Sequence, residues 1–345
     1  MLRLFALAAL LVAVVNPVAA QPADRDTSMA VIDSVYAIIK ERSLHRDAVD
    51  WNETDRTFRA AVDSADTFAD ALQAFRGVFA AMEDVHSAMY YRGQWIGYRP
   101  ESLSRPVRRD VSALIAEGRE QANQPSGMIL RGDIAYVLVP PYGVQGAEAI
   151  GEAAAKLRDL VYDLASQSPR GWVLDLRVNE GGNIHPMLSG LGDLLGDGLV
   201  MRSVHASGDT QFTWSIDEGV LTVDGYQAAS VDRRCPDARG DGRVAVPVGP
   251  ATASSGQIAA IAFAGWEPAR LFGDPTADGY ATSNGWNQIT PDLALNLSVA
   301  YFADRSGFVH EGIVLLNEEV DDEWDLDRPE ADPVVQRARD WITSR

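Results

Sequence analysis

The sequence predicts an α/β fold with buried parallel strands, preceded by a small N-terminal helical bundle. Three observations carry this. Short apolar runs alternate with amphipathic helical stretches in the order strand, helix, strand, glycine turn, helix. Residues 27–43 place Met29, Ile32, Val35, Tyr36 and Ile39 at helical spacing, and further helical stretches follow before any strand pattern. Residues 198–225 alternate polar and apolar side chains as antiparallel strands do.

In chain order, Asp26, Thr27 or Ser28 is placed to cap the first helix. A second helix begins near Asn52. A third runs from about Asp66 to Met82, where Leu72, Phe75, Phe79 and Met82 recur every three or four residues. The helical region, 21–90, ends in Glu83-Asp84-Val85-His86-Ser87. Residues 91–126 carry prolines and arginines with little periodicity and read as a connector with at most short elements. The core, 127–345, opens with two strands, Gly127–Leu130 and Ile134–Val139, joined by Arg131-Gly132-Asp133. A helix over about 145–167 follows, then the strand Trp172–Leu176 and the turn Asn179-Glu180-Gly181-Gly182. After the polar stretch 226–243, the strand Val244–Val248 leads into Gly249-Pro250-Ala251-Thr252-Ala253-Ser254-Ser255-Gly256-Gln257 and an apolar helix. Strands over about 268–273 and 293–303 precede an Asp-rich tail and a last helix from Asp332 to Thr343.

Residues 1–20 combine Arg3, the apolar run Leu4–Val15 and Val18-Ala19-Ala20, the plan of a secretory signal peptide cleaved after Ala20. The run is shorter than the ~20 residues that span a bilayer, so a soluble exported protein, periplasmic or extracellular, is expected without stable membrane insertion. The single Cys, Cys235, lies far from the cleavage site, which argues against a lipid anchor and forbids an internal disulfide. A net charge of −19 argues against nucleic acid as a partner, because phosphate binding needs clustered Lys and Arg. No cofactor signature is present. The five His residues show no zinc spacing, and Asp321, Asp322, Glu323, Asp325 and Asp327 lack the glycine and terminal Glu of a calcium loop, so no metal is expected.

Ser254 sits at a strand-to-helix turn, where a hydroxyl is exposed and a helix N-terminus offers free N–H groups to a developing oxyanion. Yet Ser254-Ser255-Gly256-Gln257 also fits a capping box, and taken alone the motif favours the cap. Gly181-Gly182 lets backbone N–H groups face a ligand, or simply turns the chain. His86 has the chemistry of a general base near neutral pH, although a lone His is more often structural or exposed.

Together these segments resemble the family of tail-specific, carboxyl-terminal processing and tricorn-core proteases. The resemblance rests on Val49-Asp50-Trp51, Leu72 to Ser87, Asp175-Leu176-Arg177-Val178-Asn179-Glu180-Gly181-Gly182, Thr252 to Gln257, Gly273 to Ala277, Asp304-Arg305-Ser306-Gly307 and His310-Glu311-Gly312. It implies a crotonase-like core in which Ser254 attacks a peptide carbonyl, with the Ser255 N–H and that of Gly181 or Gly182 as the oxyanion hole. Processing proteases place a lysine base just after the position of Thr276. This chain reads Ala277-Asp278-Gly279-Tyr280 there, and its only lysines are Lys40 and Lys156. The tricorn-like branch uses His with a carboxylate, which maps onto His86 and Glu311, with Ser87 as a residue that could assist. Val85 stands where tricorn has serine before its histidine, and Gln257 where the family has Glu. The connector has no room for the peptide-binding PDZ domain of many members. The expected partner is an oligopeptide or unfolded protein segment. The alternative is a non-catalytic binding protein like the retinoid-binding repeats; an acyl-thioester enzyme of related fold lacks a cofactor signature.

Overall fold

The computed structural model describes residues 25–100, 109–218, 220–229, 238–239 and 242–344. The leader and Cys235 lie outside the described residues. The chain starts with helices α1 (Arg25–Arg42), α2 (Trp51–Asp63), α3 (Phe68–Leu72) and α4 (Phe75–Ala81), then the hairpin β1 (Ala88–Tyr91) and β2 (Gln94–Gly97). Helix α5 (Val111–Glu120) leads to β3 (Ser126–Leu130), β4 (Ile134–Leu138), α6 (Ala147–Ala165), β5 (Gly171–Asp175), α7 (Ile184–Gly190) and α8 (Gly192–Leu195). Four antiparallel strands follow: β6 (Gly198–Val204), β7 (Thr210–Asp217), β8 (Val220–Val223) and β9 (Tyr226–Ala229). The chain then forms β10 (Arg243–Val248), α9 (Ser255–Phe263), β11 (Ala269–Gly273), β12 (Thr282–Thr290), β13 (Leu293–Ala303), β14 (Val309–His310), β15 (Glu318–Glu319) and α10 (Pro333–Thr343).

These strands make two sheets, a mixed α/β architecture. One runs β15-β11-β10-β5-β4-β3, parallel from β15 to β4, with β3 antiparallel at its edge. Its central strands read as continuous apolar runs because both faces are covered. Residues of α6, α7 and α9 pack on Trp172, Leu174, Val244 and Val246, while α5 and α10 pack with Val173, Ala245 and Phe272. The other sheet is antiparallel, ordered β2-β1-β13-β6-β7-β8-β9, with β12 and β14 also paired to β13.

The sequence expectations hold for most elements and depart from the structure at three places ahead of the parallel sheet. The helix expected over 66–82 is two, because at Gln73 and Ala74 the backbone bonds tighten to three-residue spacing, Gln73 N–H to Asp70 O and Ala74 N–H to Ala71 O. The connector contains β2 and the ten-residue α5, which Asp110 caps by accepting from the Ser112 and Ala113 N–H groups. Nor do α1–α4 close a core of their own. Ile32, Val35, Phe58, Leu72 and Phe79 share a cluster with Leu293, Leu295 and Leu297 of β13. These three leucines alternate along β13, so one face of the strand belongs to the helices and the other is left for Asn296 and Ser298.

At the end of β5 a fully buried Arg177 ties the parallel sheet to the C-terminal helix. Its Nη2 and Nε donate to Asp175, its Nη1 donates to Asp332 Oδ2 at 2.8 Å, and Trp324 lies over its guanidinium. Asp332 also caps α10 through the Val335 N–H. Asp332→Ala strips one partner from a buried cation and removes a helix cap together. It is expected to lower stability by about 3–5 kcal/mol in chemical denaturation; a loss under ~1 kcal/mol contradicts this account.

Candidate active site

Beyond β10 the chain is pinned to the turn that follows β5. The Thr252 hydroxyl donates to Leu176 O at 2.9 Å and accepts from the Gly249 N–H, and the Ala253 N–H donates to Asn179 O. This holds Ser254 at φ 50°, ψ −124°, a left-handed conformation that a non-glycine residue adopts at a cost of order 1–3 kcal/mol. The residue stands at the N-terminus of α9, but its side chain caps nothing. Gln257 likewise does not reach back: its Nε2 donates to Thr276 Oγ1 and Ala277 O. The capping box is therefore not formed, and Ser254 Oγ instead lies 3.0 Å from His86 Nε2.

His86 follows α4 in a loop organised by Asp84, whose Oδ1 accepts the backbone N–H groups of His86 and Ser87. Asn296 Nδ2 donates to His86 O and fixes the loop to β13. The imidazole Nδ1 is 2.7 Å from Thr282 Oγ1, and the Tyr280 ring lies 5.1 Å away, centroid to centroid. With Nδ1–H directed at Thr282, Nε2 is left as the acceptor for the Ser254 proton. Burial pushes the His86 pKa down to about 4, and the Asp84 charge pulls in the opposite direction. The ring is thus neutral at neutral pH, as a base must be.

The expected roles of Glu311 and Ser87 do not match their positions. Glu311 is exposed, and the nitrogen it was expected to orient faces Thr282 instead. The reason is register: pairing of β14 with β13 sets His310 opposite Phe302 and buries it against Asp304 Oδ2 at 3.1 Å, and the next residue turns outward. Burial raises the Tyr301 pKa, and the Glu311 charge adds to that shift. Ser87 is fully buried and donates to Asp84 Oδ2, so it supports the His86 loop rather than contacting Ser254.

Of the two glycines, Gly181 gives its N–H to Asn179 Oδ1, which leaves Gly182 as the one whose N–H has no acceptor among the described residues. The Ser255 N–H, at the first position of α9, has none either. The Ser255 hydroxyl donates to Gly182 O at 2.7 Å and binds the two segments together. Both glycines have positive φ and leave no room for a Cβ, although Gly181 is buried and Gly182 exposed. A Cβ on Gly181 would come within 2.8 Å of the Ser254 Cβ, and one on Gly182 within 2.2 Å of Tyr142 O.

Ser254 and His86 lie in a cleft of about 2260 Å³. Aromatic residues from both ends of the antiparallel sheet line it, Tyr90 and Trp95 from β1 and β2, Phe212 and Tyr226 from β7 and β9. Tyr226 is 81% exposed, which for an aromatic ring in a cleft means a surface available to a ligand. Thr282 and Asp84 were missed as site residues. β12, which starts at Thr282, was not predicted, and Asp84 resembles any helix-ending acid. Among the described residues no cluster of three His, Cys, Asp or Glu side chains is arranged to hold a metal, and no helix is long and apolar enough to cross a membrane.

Residues 133–314 match the profile of Peptidase family S41. The chain is 22% identical over 275 residues to the nisin-resistance protein of Lactococcus lactis subsp. lactis, covering 79% of this chain and 76% of that protein. A lipoprotein from Streptococcus agalactiae superposes with a TM-score of 0.67 at 17% identity, covering 96% of this chain and all of the other. The photosystem II D1 C-terminal processing protease superposes at 0.55 and 14% identity, with coverage of 92% and 98%.

Gly181→Ala is expected to displace Ser254 from His86 and to slow labelling of Ser254 by a fluorophosphonate at least ~10-fold. Labelling at the native rate would show that the turn yields elsewhere.

Proposed function

Because the chain belongs to peptidase family S41, whose profile spans more than half of it, we propose that this serine peptidase cleaves peptide bonds with Ser254 as nucleophile and His86 as general base and acid. The observation that carries the reading is the 3.0 Å contact of a conformationally strained serine with a neutral imidazole, across 168 residues of sequence. As Ser254 Oγ bonds to the scissile carbonyl carbon, its proton passes to Nε2 and the carbonyl π pair moves to oxygen. The N–H groups of Ser255 and Gly182 receive that oxyanion, and a donor of this kind contributes ~3 kcal/mol to the transition state. Nε2 then returns the proton to the leaving amine, and water repeats the sequence on the acyl-enzyme.

Oligopeptides or unfolded segments are the substrates, since an open cleft with exposed aromatic walls accepts an extended chain and its apolar side chains. The leader pattern of residues 1–20 supports work outside the cytoplasm. With the chain a peptidase, the non-catalytic alternative has no observation in its favour.

Ser254→Ala and His86→Ala are each expected to lower kcat/KM on a peptide library by at least ~10³-fold while the protein stays folded. Native-like turnover in either variant ends this assignment. The active form carries neutral His86, so activity is present above its pKa and lost as pH falls through it. The acid limb of kcat/KM should lie between about 4 and the ordinary histidine value of ~6.5; a limb above ~7 contradicts a buried base. Glu311→Gln, at a residue that makes no hydrogen bond to the imidazole, should leave kcat within about twofold of native. A drop of ~100-fold would instead restore Glu311 as the orienting carboxylate.

A further inference from the structure

The Thr282 hydroxyl that meets His86 Nδ1 does not end the hydrogen-bond chain. Thr282 Oγ1 lies 3.2 Å from Ser298 Oγ, and Ser298 Oγ donates to Asp84 Oδ1 at 3.2 Å. Asp84 is 2% exposed, and its two oxygens accept from the His86 N–H, the Ser87 N–H and the Ser87 and Ser298 hydroxyls. Each hydroxyl has one proton to give. With Ser298 and Ser87 both directed at Asp84, Thr282 is left to donate to Ser298 or to Asn284 Oδ1, which is 2.8 Å away, and to accept from Nδ1–H. When Thr282 donates to Ser298, every dipole from the imidazole to Ser298 points the same way, toward a buried carboxylate; Asn284 Oδ1 competes for that proton.

Resting on the assignment of His86 as the base, we propose that Asp84 is the positioning carboxylate of this site, acting on His86 through the Ser298 and Thr282 hydroxyls. When Nε2 takes the Ser254 proton, the ring becomes an imidazolium with a proton on each nitrogen. The aligned hydroxyls lower its energy at Nδ1, and the Asp84 charge stands behind them. No proton leaves Nδ1 and Asp84 remains a carboxylate throughout, as befits an orienting acid. The short range of the arrangement explains why the acid does not have to reach the ring. Its own loop carries the histidine two residues on, and the same Oδ1 that accepts from Ser298 holds the His86 N–H. Titratable groups facing this cluster include the hydroxyls of Tyr280 and Tyr301, whose pKa values burial raises first of all; Asp84 raises both further, Arg99 opposes the shift at Tyr280 and Glu311 adds to it at Tyr301.

The test compares Asp84→Asn and Ser298→Ala with native protein in peptide hydrolysis, recording kcat, KM and the acid limb, with active serine counted by fluorophosphonate titration. Asp84→Asn is expected to lower kcat at least 10-fold per active site, to leave KM within twofold, and to move the acid limb to lower pH, because the charge that favours imidazolium is gone. Ser298→Ala, which keeps that charge and the backbone contacts of the loop, is expected to lower kcat at least threefold with KM unchanged. A fall in active fraction alone, with kcat per site and limb unmoved, would make Asp84 a structural residue and overturn the proposal. Should Asp84→Asn not fold, Ser298→Ala decides, and native kcat in that variant overturns the relay. His86→Ala separates the two levels of the argument. If it retains activity the base assignment fails, whereas an inactive His86→Ala beside fully active Asp84 and Ser298 variants refutes only the role given to Asp84.

Discussion

The hydrogen bond between Ser254 and His86 joins two sheets that share no strand. Ser254 is held beyond the end of β10 in the parallel sheet, and His86 enters β1 of the antiparallel one. A 3.0 Å contact between them survives only if the sheets are fixed against each other to a few tenths of an ångström. Packing does this. Phe302 of β13, Met201 of β6 and Trp214 of β7 belong to the same buried cluster as Trp172 and Val246 of the parallel sheet, with α6, α7 and α9 between them. Close-packed interiors transmit displacement rather than absorb it, so the site inherits its precision from this core.

The same constraint makes the N-terminal helices part of what holds the Ser254–His86 contact, although the family match begins only at residue 133. The helices rest on one face of β13, and the other face carries Ser298 and Asn296, which hold the His86 loop. A shift of the helical layer would therefore reach the imidazole through a single strand. Ser254, held in the α/β half, and His86, supplied from the helical half, can meet only in the completed fold.

This division explains what the sequence could reveal. The parallel strands and their helices were legible because burial on both faces leaves unbroken apolar runs, as in β4 and β5. The turns carrying Gly181, Gly182 and Ser254 were legible because glycine and small residues mark them. β12 was not, since Thr282-Ser283-Asn284-Gly285-Trp286-Asn287 has polar residues at both parities and includes residue types that strands disfavour. Its extended form is set by register with β13. Asp84 was invisible for a related reason. Nothing local distinguishes an acid that accepts from Ser298, 214 residues on, from one that merely ends a helix. Glu311 was misplaced because order along the chain does not tell which side of a two-residue strand faces inward.

The segment after Thr276 is packed between the turn that carries Ser254 and the loop that carries His86. Thr276 Oγ1 accepts from Gln257 Nε2 and from the Val314 N–H, and the Ala277 N–H donates to Thr252 O, so this stretch is a strut behind the nucleophile turn. Gly279 then passes so close to the histidine loop that a Cβ there would meet Val85 Cγ2 at 2.5 Å, and Tyr280 places its ring beside His86. Val85, which departs from the serine of the tricorn pattern, fills this contact. Gln257 departs from the usual Glu, and its Nε2 donates to Ala277 O and Thr276 Oγ1, where a carboxylate could not donate to the carbonyl, while its Oε1 is buried without a partner among the described residues. The segment after Thr276 thus touches both the turn that carries Ser254 and the loop that carries His86. Burial in this packing is what keeps the imidazole neutral.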